Sequence, residues 1–192
     1  MTATRPTPKR RPFEDLLSYF SNVAHKAVAR QIPVNERMIL LLSSQEAQDE
    51  YCADLIDHLP RLLQVGNIEN RAARGAILFF IMHCLPLRSD ALNSFALKAG
   101  MTPSNLLMKI SGDDDFLQFL IDFHKIPTDL KLKQLRYHAC GTTSLIFKAR
   151  TQIRGDCALK VIRPEYVRNQ DMIEVTASPN YSRLAGGCAL KY

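Results

Sequence analysis

The sequence predicts an α+β protein, an N-terminal all-α helical bundle followed by a short antiparallel β-sheet. Three observations carry this expectation. Apolar residues recur every three or four positions from Phe13 to about Pro127, the period of amphipathic helices. Beyond Pro127 the apolar positions alternate and become β-branched, the period of strands. Gly141 and Gly155 then fall between alternating runs, where hairpin turns belong.

Phe13, Leu16, Leu17, Phe20, Val23 and Ala24 share one face of the first helix. Pro33 is expected to end it, because proline lacks an N–H and restricts the residue before it. Asn35 offers an N-cap for Glu36 to Leu42, and Ser43 with Glu46 has capping-box spacing for a helix bounded by Pro60. Arg71 to Leu85 is apolar round most of its circumference, which suits the central helix of a bundle. Ser89 and Asp90 can cap Ala91 to Ala99, and Gly100 supplies the left-handed residue that follows. Thr102-Pro103 forms an N-cap and N1 pair for a helix to Ile110, which Gly112 breaks. Asp113, Asp114 and Asp115 complement the dipole of a last helix, Phe116 to His124.

In the C-terminal part, strands are expected near 134–140, 143–150 and 156–162, with Arg154-Gly155-Asp156 turning between the last two. Glu165 to Val175 reads as a short helix. The stretch from Ser178 through Gly186-Gly187 reads as a loop leading into a fourth strand. Three strands make a poor core by themselves, so this unit needs the helices to cover it.

The 192 residues are 46% hydrophobic, enough for a core. No apolar run approaches the roughly 18–20 residues of a membrane span, and the start carries no secretory signal pattern. A soluble, cytoplasmic protein without membrane contact is expected. Cys52, Cys84, Cys140, Cys157 and Cys188 are odd in number and scattered without a CxxC pair, which points to neither disulfides nor metal. Of the net charge of +6, four positive residues lie in Arg5, Lys9, Arg10 and Arg11. Residues 1–12 read as a disordered, solubilising tail, so the charge does not imply nucleic acid. Ala96 to Leu107 has helix-turn-helix spacing, yet its second helix offers only Ser104, Asn105 and Lys109, and three aspartates follow. An αα-corner fits better. The five histidines never fall into ligand spacing, and His83 suits a satisfied core position.

Chemistry is suggested by one segment, Ala139-Cys140-Gly141-Thr142-Thr143-Ser144-Leu145-Ile146-Phe147-Lys148-Ala149, followed by Cys157-Ala158-Leu159-Lys160-Val161-Ile162. A glycine-bearing hairpin turn lets backbone N–H groups approach phosphate oxygens. A lysine on the adjoining strand, alternating with core residues, brings one ammonium to the same place. Residues 135–167 resemble the start of the small lobe of the protein kinase superfamily, of the bacterial Ser/Thr type. Cys157-Ala158-Leu159-Lys160 stands where the family has Val-Ala-Ile-Lys, and Ile146-Phe147-Lys148-Ala149 closes its glycine-rich element. The family's three glycines correspond to Ala139, Gly141 and Ser144, so only the middle one is kept.

The resemblance implies an ATP site. Ala139, Gly141 and Ser144 would cover the phosphates, Lys160 would hold the α- and β-phosphates, and Ala158 would line the adenine side. Leu159 and Val161 would face the apolar side of the lobe. Glu174 is the nearest candidate for the glutamate that pairs with the lysine. No His-Arg-Asp or Asp-Phe-Gly element occurs up to Tyr192, so no catalytic residue or metal ligand is assigned within the chain. ATP and magnesium belong to a complete relative, and neither is expected to bind this chain tightly alone. The expectation is an N-terminal fragment of an ATP-dependent Ser/Thr protein kinase. It divides into the tail (1–12), a regulatory or interaction bundle (13–127) and an incomplete small lobe (128–192). A protein partner would bind through the bundle, and a homo-oligomer stays open. The competing classes are a non-catalytic interaction module and, behind it, a helix-turn-helix DNA-binding regulator.

Overall fold

The computed structural model describes residues 10–28, 33–152, 155–166, 173–177 and 190–191, with side chains for 10–24, 37–152 and 155–166. Four helices come first: α1 (Phe13–Val28), α2 (Pro33–Ser43), α3 (Gln45–Leu55) and the single turn α4 (Leu59–Leu62). They are followed by α5 (Arg71–Cys84), α6 (Ser89–Ala99), α7 (Pro103–Ser111) and α8 (Asp114–His124). Strands β1 (Leu132–Cys140), β2 (Ser144–Thr151), β3 (Gly155–Ile162), β4 (Ile173–Ala177) and β5 (Leu190–Lys191) complete the α+β fold. The sheet runs in the order β1-β2-β3-β4-β5, and every neighbouring pair is antiparallel.

Helix α5 is the centre. Every residue from Ala73 to Cys84 is buried, as its all-round apolar sequence requires. Helix α1 lays Leu16, Phe20 and Val23 against one side of it, with the Phe20 and Phe80 rings 5.8 Å apart. Helix α8 lies on another side, where Phe79 meets Phe119 at 5.1 Å and Phe123 at 4.8 Å. The sheet sets Leu135, Leu145, Phe147, Leu159 and Val161 on the same apolar cluster. Bundle and sheet therefore share one core, and this answers the need of a small sheet for cover.

Several caps fall where the sequence places them. Thr102 accepts from the Asn105 amide, and Asp113 from the Asp115 and Phe116 amides. Gly100 ends α6 at φ +66, and Gly155 opens β3 at φ +67 with open space where a Cβ would lie. Other boundaries are corrected. Pro33 and Pro60 were expected as stops but stand in the first turns of α2 and α4, where a missing N–H costs nothing. Asn35 consequently lies inside α2 rather than at the position before it. The cap of α3 is Ser44, which accepts from Ala47, while Ser43 donates back to the Ile39 carbonyl. At α6 the cap position is Arg88, which makes no side-chain cap bond, so Ser89 and Asp90 are its first helical residues.

The helix expected over Glu165–Val175 is also corrected. A 3-10 turn occupies Pro164–Tyr166, and Ile173–Ala177 forms β4 on the free edge of β3. The β-branched residues Ile173, Val175 and Thr176 suit a strand better than a helix. Arg154 of the expected turn, residues 167–172, the loop expected at 178–189 with Gly186-Gly187 and Cys188, and the His25 side chain lie outside the described residues. So do residues 1–9 of the tail. Arg11, within the expected tail, is held instead by Glu50 and Asp54, with its guanidinium 4.2 Å from the centre of the Tyr51 ring.

One buried ion cluster fixes α8 on α5. Arg74 is 2% exposed. Its guanidinium donates to Asp113 at 2.6 and 2.8 Å, to Asp115 at 2.7 Å, and to the Leu62 carbonyl at 2.8 Å. Arg71 adds a 2.7 Å bond to the other oxygen of Asp115. The neighbouring Gly75 lets the two backbones meet, because a Cβ there would collide with the Asp115 carbonyl. Arg74→Ala leaves Asp113 without its ion-pair partner and Asp115 with Arg71 alone, and is expected to destabilise by about 3–5 kcal/mol. Gly75→Ala, which forces the helices apart, is expected to cost about 1–3 kcal/mol. Urea unfolding followed by circular dichroism checks both values.

Candidate functional site

The β1–β2 hairpin and β3 follow from alternation, and their register decides which residues share a face. Ala139 pairs with Ile146 and Ile146 with Lys160, so these three stand in one row. The next row on the same side holds Arg136, Lys148 and Ala158. Between them, Tyr137, Phe147 and Leu159 form a row on the opposite side. That side is closed by the bundle: Phe147 lies 6.0 Å from Phe116, and the Tyr137 amide donates to Ser111 Oγ at 2.8 Å. The side carrying Ala158 and Lys160 is open, while Leu159 and Val161 are buried, as the strand alternation requires.

The turn joining β1 to β2 is short. The Gly141 amide donates to the Ser144 carbonyl at 2.8 Å, and the Arg163 amide donates to the Thr143 carbonyl at 2.9 Å. Among the described residues, nothing accepts a hydrogen bond from the amides of Thr142 and Thr143. Gly141 is exposed, its φ is not in the left-handed region, and an added Cβ would be 3.8 Å from Ser144. The fold itself therefore makes no demand for glycine at 141. Ser144 is buried, so of the three loop positions it alone is screened from solvent.

The structure thus brings Ala139, Ala158 and Lys160 to one face and sets Gly141 and Ser144 at its upper end. Glu174 is on β4 rather than on a helix, and its register position is directly opposite Lys160.

An opening of ≈ 640 Å³ lies over the part of this face away from the turn, lined among others by Arg136, His138, Ile146, Lys148 and Ala158 but not by Ala139, Gly141, Ser144 or Lys160. Arg150 beside it is paired with Asp156 at 3.4 Å, both exposed. Among the described residues, no carboxylate pairs with Arg136 or Lys148. The face is therefore net cationic. Sequence reading missed Arg136 and Lys148, although the signal was there. Once the hairpin is paired, positions 134, 136 and 138 and positions 146, 148 and 150 fall on one side by their period of two.

Arg163 was missed as well. It follows β3 directly, is 3% exposed, and donates to Glu165 at 2.8 Å and to the His83 carbonyl at 2.6 Å. Cys140, one residue before Gly141, has its thiol pushed up by burial, with the Arg163 charge opposing. Among the described residues, no three His, Cys, Asp or Glu side chains gather to hold a metal ion, and no helix is long and apolar enough to cross a membrane. Compared with protein-family models, curated proteins and solved structures, the chain matches none.

Two histidines lie behind the sheet in the bundle. His83 Nδ1 is 2.8 Å from the Phe79 carbonyl, which can only accept, so Nδ1 carries a proton. Burial pushes its pKa down to about 3, with the Phe79 bond opposing and Arg163 adding to the depression. His124 is buried among Phe79 and Phe123, and burial, with a smaller contribution from His83, holds its pKa well below the usual value. Both folded pKa values lie below the unfolded value near 6.5. Their contribution to stability is therefore complete above about pH 6.5 and is lost as pH falls toward the folded values. Each histidine adds a slope of up to about 1.4 kcal/mol per pH unit. Urea midpoints measured between pH 8 and pH 4 are expected to fall only below about pH 6.5. His124→Phe, which keeps the shape and removes the proton site, is expected to make that acid limb shallower.

Proposed function

We propose that residues 132–177 form the phosphate-binding half of an ATP site of the Ser/Thr protein-kinase type. The helical bundle serves as its regulatory and partner-binding module. In a whole protein with such a site, the γ-phosphoryl group of ATP passes to a serine or threonine hydroxyl. One observation carries the reading: Ala139, Ile146 and Lys160 stand in one row of an open, cationic face whose upper end is the Gly141 turn. In this reading the Lys160 ammonium meets the α- and β-phosphates, and the Thr142 and Thr143 amides face the outer phosphate oxygens. Ile146 and Ala158 supply the apolar surface for the base. Bound ATP with magnesium would bring the transferable phosphoryl group and neutralise part of its charge.

Gly141 supports the same reading. A glycine that the backbone does not require fits a place where a ligand must come close to the chain. A second reading, a docking module without catalysis, draws on exposed apolar side chains of the helical part, Val65 and Leu97, each 82% exposed.

Titration of the chain with a fluorescent ATP analogue and magnesium tests the proposal. Saturable binding is expected, lost in Lys160→Met and weakened about tenfold in Gly141→Ala, a loss of about 1.4 kcal/mol. Gly141→Ala is expected to leave the melting temperature unchanged, which separates a ligand effect from a folding effect. Absent binding at millimolar analogue, or binding indifferent to Lys160→Met, would sink the proposal.

A further inference from the structure

We infer that Arg163 is a positioning residue, tying the phosphate-facing turn to the end of the central helix so that the bundle sets where the turn stands. The role in nucleotide binding rests on the reading above; the mechanical link does not. Arg163 is three residues beyond Lys160 on the same chain segment and is buried. Its backbone amide holds the turn through the Thr143 carbonyl at 2.9 Å. Its Nη2 reaches the His83 carbonyl at 2.6 Å, in the last turn of α5. Carbonyls there have no partner in their own helix, so the guanidinium takes the place of a cap. A cation at this end also answers the negative pole of the helix dipole.

The remaining nitrogens complete the link. Nε donates to Glu165 Oε1 at 2.8 Å, which fixes the plane of the guanidinium. Nη1 stands 4.0 Å from Cys140 Sγ, on the strand that enters the turn. One residue thus touches β1 just before the turn, the turn itself, and α5. A lysine could reach one of these partners but not all of them, because its ammonium is a single point rather than a planar fork. With the fork removed, the His83 carbonyl is left buried without a partner and the turn loses its fixed distance from α5.

Hydrogen–deuterium exchange on the full chain, comparing wild type with Arg163→Met and Arg163→Lys, tests the link. The amides to follow are those of Gly141 and residue 163, the two whose bonds close the turn. In Arg163→Met their exchange is expected to rise about tenfold, while the amides of α8 and of the β2–β3 pairing stay within about twofold. Arg163→Lys is expected to recover part of the protection. Affinity for the fluorescent ATP analogue is expected to fall about tenfold in Arg163→Met, since a small misplacement of phosphate donors is costly. Unchanged exchange at the turn, or an equal rise throughout the sheet, overturns the inference. If Arg163→Met does not fold, the same comparison in Arg163→Lys decides it. If wild type binds no nucleotide, the proposed function falls, and the exchange result still decides the link.

Discussion

Arg74 is carried into the core on an otherwise apolar helix, and its charge has to be answered there. Removing a guanidinium from water costs several kcal/mol, and an interior offers nothing in return unless partners are already in place. Asp113, the cap of α8, and Asp115, in its first turn, supply them, and Leu62 supplies a carbonyl from α4. The carboxylates also sit where the positive pole of α8 favours them. This arrangement leaves α8 one position on α5. Gly75 allows that position by removing the side chain that would keep the backbones apart.

The rest follows from where α8 is held. Phe116, Phe119, Phe123 and His124 lie in the buried face of α8, against the Phe79 region of α5. Phe116 is also the ring that meets Phe147 in the centre of the sheet. Ser111, at the end of α7, receives the Tyr137 amide and fixes the height of β1. The sheet is therefore covered on one side and open on the other, and the open side is the one that carries Lys160. A second buried arginine, Arg163, closes the opposite end of α5 and joins it to the turn beside that open face. The two arginines act at the two ends of one helix, each by answering unpaired groups that burial would otherwise leave costly.

Local chemistry told the elements apart well where one period dominated. The all-round apolar run of α5, the Thr102-Pro103 start of α7 and the aspartates opening α8 needed no tertiary context. Pro33 and Pro60 misled because proline has two positional meanings. It stops a helix from inside and starts one at the first turn, and the side chains alone do not say which. Residues 173–175 lie within the stretch Glu165–Val175 that reads as a short helix from sequence. Their β-branched composition becomes decisive only beside a free strand edge that needs pairing. Arg136 and Lys148 were invisible as a pair for a similar reason: they are 12 residues apart in sequence and adjacent only in the hairpin register.

The amino-acid sequence by itself determined the α+β class, the order of helices before strands, the hairpin turn at Gly141 and the face shared by Ala158 and Lys160. These depend on periodicity and turn preference, which act over a few residues. Tertiary structure alone decided that bundle and sheet share one core, that β4 sets Glu174 opposite Lys160, and that Arg74 and Arg163 bind the two ends of α5. Such outcomes depend on desolvation and pairing between segments distant in sequence. A buried charge has no partner until the fold supplies one, so neither the charge nor its partner announces the role beforehand.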